Sequence, residues 1–170
     1  FVGHKQVQVG DKVITADTIV LAAGARPRIP DTPGLADVRF HTSATIMRVP
    51  QPPARLAILG GGFIACEMGH VFRAAGSHVT IINRSENLLR THDDEISERF
   101  TEVFGERFDL RCGEMPTRIR QDGDEIIIEF ATGDPIVADE LLVATGRIPN
   151  GEQLGVTETG VELDASGYVV

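Results

Sequence analysis

Short apolar runs alternate with glycine-punctuated polar breaks along this chain, and the apolar spacing changes period from segment to segment. Residues 54–59 (ARLAIL) read as a strand that runs into Gly60, Gly61 and Gly62. Beyond them Ile64, Met68, Val71 and Phe72 fall at i, i+4, i+7 and i+8, which predicts one face of a helix stopped at Gly76. Residues 78–82 predict a second strand, ending in Asn83-Arg84-Ser85. A second helix is predicted from Asp94 to Phe104, with Ile96, Phe100, Val103 and Phe104 as its apolar positions and Thr91 as a capping signal. Residues 108–111 predict a third strand. Residues 117–121, 125–131 and 135–138 then read as three short strands, with Ile126, Ile128 and Phe130 alternating on one face and Asp122-Gly123 and Thr132-Gly133-Asp134 as turns. Residues 141–144 return as the last parallel strand. This order predicts an α/β fold: a Rossmann-like three-layer module with a mainly parallel sheet plus an antiparallel β-meander.

The strand-to-helix passage carries the first chemistry. Gly60, Gly62 and Ala65 form G-x-G-x-x-A. Gly60 can turn sharply off the strand, Gly62 lets backbone approach a pyrophosphate, and Ala65 allows close packing of helix on sheet. Phosphates would sit on the helix N-terminus, where free N–H groups and the helix dipole attract anions. Asn83, about twenty residues past the glycines, falls where an adenosine ribose is normally read.

The chain also repeats itself. ADTIVLAAGARP, residues 16–27, matches ADELLVATGRIP, residues 138–149, as A-D-x, three aliphatic residues and A-x-G-x-x-P. Each copy follows a turn dipeptide, Gly10-Asp11 or Gly133-Asp134, and a strand-like run, residues 12–15 or 135–137. The second copy closes a complete unit, whereas no glycine turn or helix precedes the first. Residues 161–163 and 168–170 read as strands at the other end. We therefore expect a piece of a longer protein containing two similar dinucleotide modules.

Composition narrows the classes. With 170 residues and 42% hydrophobic content the chain can bury a core, and its net charge of −9 without a basic stripe argues against a nucleic-acid partner. No apolar run approaches the roughly 18 residues of a membrane span, and the first ten residues lack a signal-peptide profile. Cys66 and Cys112 stand outside any C-x-x-C spacing and fit reduced thiols of a cytoplasmic protein. The five histidines show no metal-ligand spacing. Asp122, Asp124 and Glu125 lack a calcium-loop pattern and read as a hairpin turn, while Asp93, Asp94 and Glu95 complement a helix dipole.

GGGFIACEMG, the Arg84 and Arg90 pair, ATGRIPN and the duplicated A-x-G-x-x-P run together resemble the pyridine nucleotide-disulfide oxidoreductases. The resemblance covers nearly the whole chain. It implies that residues 1–40 trail from an FAD-binding domain, 41–150 form an inserted NAD(P)H-binding domain, and 151–170 return to the FAD-binding domain. Within the family, HTSATIMRVP, GGGFIACEMGHVF and ENLLRTHDDEISERF are most similar to mycothione reductases. The implied reaction passes hydride from NADPH to FAD, then to a cysteine pair, and finally to a low-molecular-weight disulfide. FAD and the catalytic cysteines would lie outside this chain, which alone is expected to be inactive. The full-length protein would be a homodimer with no nucleic-acid or membrane partner.

Further site residues follow from the resemblance. Phe63 falls at the gate over the nicotinamide, where glutathione reductases have Tyr, and Glu67 where the family places an acid near the carboxamide. Ala144, Gly146 and Arg147 follow the last strand, on the side of the sheet where ligands bind in open α/β folds. Ile64 and Ala65 belong to the helix start that would hold the pyrophosphate. NAD-specific relatives carry Asp or Glu at the position of Asn83, which accepts from the ribose hydroxyls and repels a 2′-phosphate. Asn83 removes that charge, and Arg84 and Arg90 offer guanidinium forks suited to phosphate. Such charge-assisted bonds are worth roughly 1.5–3 kcal/mol each, on the order of tenfold to a hundredfold in affinity. NADPH is therefore expected over NADH. Alternatives are an NADH-dependent lipoamide dehydrogenase-like enzyme, another two-module flavoenzyme, or a non-catalytic nucleotide-binding module.

Overall fold

A computed structural model of the chain describes residues 1–156 and 159–170. The backbone divides into two compact units, residues 1–26 with 147–170, and residues 27–146.

In the first unit, β1 (Gln6–Val9) and β2 (Lys12–Thr15) form an antiparallel hairpin. Gly10 sits at φ +61° in its turn, a left-handed conformation that glycine adopts at no steric cost. The sequence pattern had marked only β2. Residues 19–21, the aliphatic run of the first repeat, form no strand, and Val20 is 83% exposed. A strand needs a hydrogen-bonding neighbour, and among the described residues this run has none. The repeat's tail does become regular, as β3 (Ala25–Pro27). Among the described residues, residues 161–170 make one bridge, Leu163 to Val169, around a turn in which the Asp164 carboxylate accepts from Ser166 N and Tyr168 N.

The second unit runs β4 (Arg55–Leu59), α1 (Phe63–Ala74), β5 (His78–Asn83), α2 (Asp94–Gly105) and β6 (Asp109–Cys112). It continues with β7 (Arg118–Asp122), β8 (Glu125–Glu129), β9 (Ile136–Ala138) and β10 (Glu140–Val143). Strands lie in the order β10-β4-β5-β6, all parallel, and β7-β8-β9 form a separate antiparallel meander. His41 extends the parallel sheet beyond β10, donating to Leu141 O at 2.7 Å and accepting from Val143 N at 2.8 Å. The chain then leaves through β11 (Arg147–Pro149), which pairs with β3, so the tails of the two repeats lie side by side. The second unit's own ends also meet: Arg28 N donates to Gly146 O at 2.9 Å, and Thr145 Oγ1 to Arg28 O at 2.9 Å.

Side-chain alternation on the parallel strands makes the three layers. Leu56 and Ile58 face one core with Ala65, Cys66 and Phe72 of α1, while Ala57 and Leu59 face another with Ile119, Ile126 and Ile128 of the meander. A strand covered on both faces has no solvent side, which is why β4 reads as an unbroken apolar run after Arg55. Leu35 and Val38 join the meander-side core. Residues 27–40, grouped by sequence with the flanking segment, are thus packed in this unit.

The faces predicted from the large apolar residues hold in part: Met68, Phe72, Phe100 and Phe104 pack on the α1-side core, and small residues complete the buried faces. The buried positions of α1 are Ala65, Cys66, Gly69 and Phe72, while Val71 is 42% exposed. Small residues let the helix approach closely: a Cβ on Gly69 would stand 3.3 Å from Ile81 Cδ1. Helix α1 ends in a Schellman motif, with Ser77 N bonded to Phe72 O, Gly76 N to Arg73 O, and Gly76 at φ +99°. In α2 the buried residue is Ser97, and Ile96 is exposed. The cap is Asp93, whose carboxylate accepts from Glu95 N at 3.1 Å, and not Thr91.

At the amino end of the sheet Arg55 ties β4 to β10 and β8. Its backbone N donates to Asp139 Oδ2 at 2.7 Å, its Nε to Asp139 Oδ1 at 3.1 Å, and its terminal nitrogen to Glu125 at 2.8 Å. These bonds from Arg55 hold the Asp139 carboxyl below the usual carboxylate range and raise the arginine's own pKa.

Candidate dinucleotide site

The carboxyl end of the sheet is built around the first glycine of the turn. Gly60 has φ +121°, and a Cβ there would stand 2.3 Å from Ala144 O, so the ends of β4 and β10 touch through backbone alone. Ala144 N in turn donates to Leu59 O at 2.7 Å. From β4 the chain crosses through α1 to β5 on one side, while β10 lies on the other. This is the switch point at which open α/β sheets form a ligand crevice.

Helix α1 begins at that switch point. Gly62 is its N-cap, at φ −84° and ψ −179°, and no side chain caps the helix. The first helical bond runs from Cys66 N to Gly62 O at 3.1 Å, which leaves the amides of Phe63, Ile64 and Ala65 uncapped. A Cβ on Gly62 would meet nothing within 4 Å, so the space beside the N-cap is open. Ala65 is fully buried against the sheet, Ile64 is half-buried, and Phe63 is 59% exposed at the helix start. Glu67, one turn on, is exposed. Uncapped donors, a dipole end and unfilled space suit a pyrophosphate, so these residues fit the nucleotide that the sequence implies.

Arg84 and Arg90 bracket a loop beside the turn. Both are exposed, and among the described residues neither has a carboxylate within ion-pair distance, unlike Arg26, Arg39, Arg55, Arg99, Arg111 and Arg120. Asn83 stands at the end of β5 with 8% exposure, and its Nδ2 donates to Ser85 O at 2.8 Å and Asn87 O at 2.9 Å. The loop's far end is fixed to the glycine turn, since Leu89 N donates to Gly61 O at 2.7 Å with Leu89 at φ +54°. Helix α2 supplies hydroxyls: Thr101 Oγ1 accepts from Leu88 N at 2.8 Å, and Ser97 Oγ donates to Leu89 O at 3.0 Å. Gly61, Leu89, Ser97 and Thr101 escaped the sequence reading. The one available signal was the pair of hydroxyls at i, i+4 on α2.

Gly146 lies at φ +133° where the chain leaves this unit. Arg147 belongs to the first unit, where its guanidinium donates to Ala25 O. That unit has its own cavity of about 220 Å³, lined in part by Ala23, Gly24, Pro149 and Tyr168. Cys66 and Cys112 are free thiols. Burial first, with the neighbouring thiol and Glu67 adding to it, pushes Cys66 up to about 11, and burial also raises Cys112.

A profile of the pyridine nucleotide-disulphide oxidoreductase family matches residues 1–170. The chain belongs to that family. Mycothione reductase of Mycobacterium tuberculosis is 40% identical over 156 residues, covering 92% of this chain and 34% of the relative. Mercuric reductase of Staphylococcus aureus is 37% identical over 174 residues, covering 100% of this chain and 32% of the relative, and glutathione reductase of Burkholderia cepacia is 36% identical over 168 residues, covering 98% and 37%. The chain therefore spans about a third of the length of these curated relatives. The HOCl-induced flavoprotein disulfide reductase RclA from Escherichia coli superposes with a TM-score of 0.89 at 24% identity, over 100% of this chain and 40% of that one, which shows the shared fold. No helix among the described residues is long and apolar enough to cross a membrane.

Proposed function

We propose that this chain supplies the NADPH-binding portion of an FAD-dependent disulfide reductase whose substrate is a low-molecular-weight disulfide, mycothione. The observation that carries the nucleotide reading is the uncapped start of α1 under Gly62, at the switch point between β4 and β10. Preference for NADPH follows from the loop beside it. No carboxylate stands at Asn83, and Arg84 and Arg90 are uncompensated cations in a chain of 25 acidic and 16 basic residues.

The residues divide the work. Backbone amides of Phe63, Ile64 and Ala65 bind the pyrophosphate, Gly62 admits it, and Arg84 with Arg90 holds the 2′-phosphate. Phe63 covers the nicotinamide end with an apolar ring that excludes water, and Glu67 orients the carboxamide. NADPH held by these residues would supply a hydride for the FAD of the full-length protein. The 40% identity with the mycothione reductase supports mycothione as the disulfide.

Titration of NADPH and NADH against the full-length protein tests the cofactor. NADPH should bind at least about tenfold tighter, and Arg84→Glu should abolish the difference. Equal affinities, or a preference untouched by that substitution, would exclude NADPH. Turnover measured side by side on mycothione, glutathione disulfide and Hg(II) tests the substrate. Faster turnover of either of the latter two would exclude mycothione.

A further inference from the structure

We infer that Asn83 is a positioning residue for the 2′-phosphate subsite: its amide fixes the loop from Arg84 to Arg90, and so the place of both guanidiniums, instead of reading the ribose. The inference rests on the NADPH reading above.

A primary amide has two hydrogens, and both of Asn83's are taken inside the protein, by Ser85 O at 2.8 Å and Asn87 O at 2.9 Å. The side chain lies under the glycine turn. A Cβ on Gly61 would come within 2.4 Å of Asn83 Cγ, 2.6 Å of its Oδ1 and 2.7 Å of its Nδ2. Gly61 is thus the space that the amide needs. The same strand end is held from β6's side, with Glu114 N donating to Asn83 O at 3.3 Å and Gly113 N to Ser85 O at 3.2 Å. At the far end, Leu89 N bonds to Gly61 O and Leu88 is fully buried.

Each arginine therefore follows directly on an anchored residue, Arg84 on Asn83 and Arg90 on Leu89. The backbone is fixed before ligand arrives, so only side-chain rotamers remain to be ordered on binding. Aspartate at position 83 would lose both donors and set a carboxylate against two carbonyl oxygens. The carboxylate that favours NADH elsewhere consequently does not fit this loop.

Calorimetric titration of the full-length protein with 2′,5′-ADP and 5′-AMP tests this, because the two ligands differ only by the 2′-phosphate. Asn83→Ala should weaken 2′,5′-ADP by about tenfold or more and leave 5′-AMP within about twofold. In an Arg84→Gln/Arg90→Gln background Asn83→Ala should cause no further loss, since the residues act as one unit. Gly61→Ala, which displaces the amide without replacing it, should reproduce the selective loss. Asn83→Asp should lose 2′,5′-ADP and gain nothing for NADH. Tighter NADH binding by Asn83→Asp would show that residue 83 faces the ribose and overturn the inference. An equal loss of 2′,5′-ADP with and without the arginines would do the same. Wild-type protein that binds 5′-AMP as tightly as 2′,5′-ADP would remove the NADPH reading itself. A wild-type preference that survives Asn83→Ala would remove only the role of Asn83.

Discussion

Alanine at Gly60 and alanine at Gly62 should have opposite consequences, although the two glycines are two residues apart in one turn. At Gly60 the backbone sits at φ +121°, and an added Cβ would stand 2.3 Å from Ala144 O and 2.7 Å from its carbonyl carbon. Backbone strain of this kind costs about 1–3 kcal/mol, and forcing backbone apart in a close-packed region adds about 1–3 kcal/mol. Gly60→Ala should therefore lose roughly 2–6 kcal/mol, or about 4–24 °C in melting temperature for a chain of this size. At Gly62 the conformation is open to alanine and nothing lies within 4 Å. A poorer N-cap costs about 1 kcal/mol, while a less flexible unfolded chain returns about 0.4–1 kcal/mol. Gly62→Ala should melt like wild type and lose NADPH by about tenfold or more, because its methyl occupies the approach to the free amides. Thermal melting of both variants, paired with calorimetric titration of NADPH into the full-length protein, measures the two effects separately. Gly62→Ala with unchanged affinity would refute the placement of the pyrophosphate, and Gly60→Ala with wild-type melting would refute the switch-point packing.

Two further outcomes follow from the titrating groups. Asp139 has a depressed folded pKa, so its stabilisation is complete above the ordinary carboxylate value and is lost as pH falls through the folded one. Urea unfolding of Asp139→Asn should show reduced stability at pH 7, with the deficit closing below about pH 4. Cys66, with its thiol pushed up to about 11, carries almost no thiolate at pH 8. It should resist iodoacetamide in the folded protein and react readily in urea, as followed by mass spectrometry.

Elements whose hydrophobic pattern is decided by burial were legible in the sequence. Strand β4, buried on both faces, and the meander, with Ile126 and Ile128 inward, lie where alternation places them. Helix faces were harder, because apolar size misleads where the contact needs small or hydroxylated residues. Gly69 sits inward for close approach, and Ser97 sits inward because it satisfies Leu89 O. The glycine turn was legible because its constraints are local. The pinning of the arginine loop was not, since it joins Asn83 of β5 and Thr101 of α2 to Gly61 and Leu89 in two separate connections. The aliphatic run at residues 19–21 shows the converse, a strand pattern with no neighbour to pair with among the described residues.

The hydrogen bond between Arg28 N and Gly146 O, beside that from Thr145 Oγ1 to Arg28 O, makes the second unit portable. A module whose entry and exit lie one bond apart presents the polypeptide that carries it with a closed end-to-end gap, whatever the length between. Closing so short a gap costs little chain entropy, and that cost grows only logarithmically with insert size. Residues 27–146 could be excised and replaced by a tight turn, or grafted into another surface loop with both of their cores carried along.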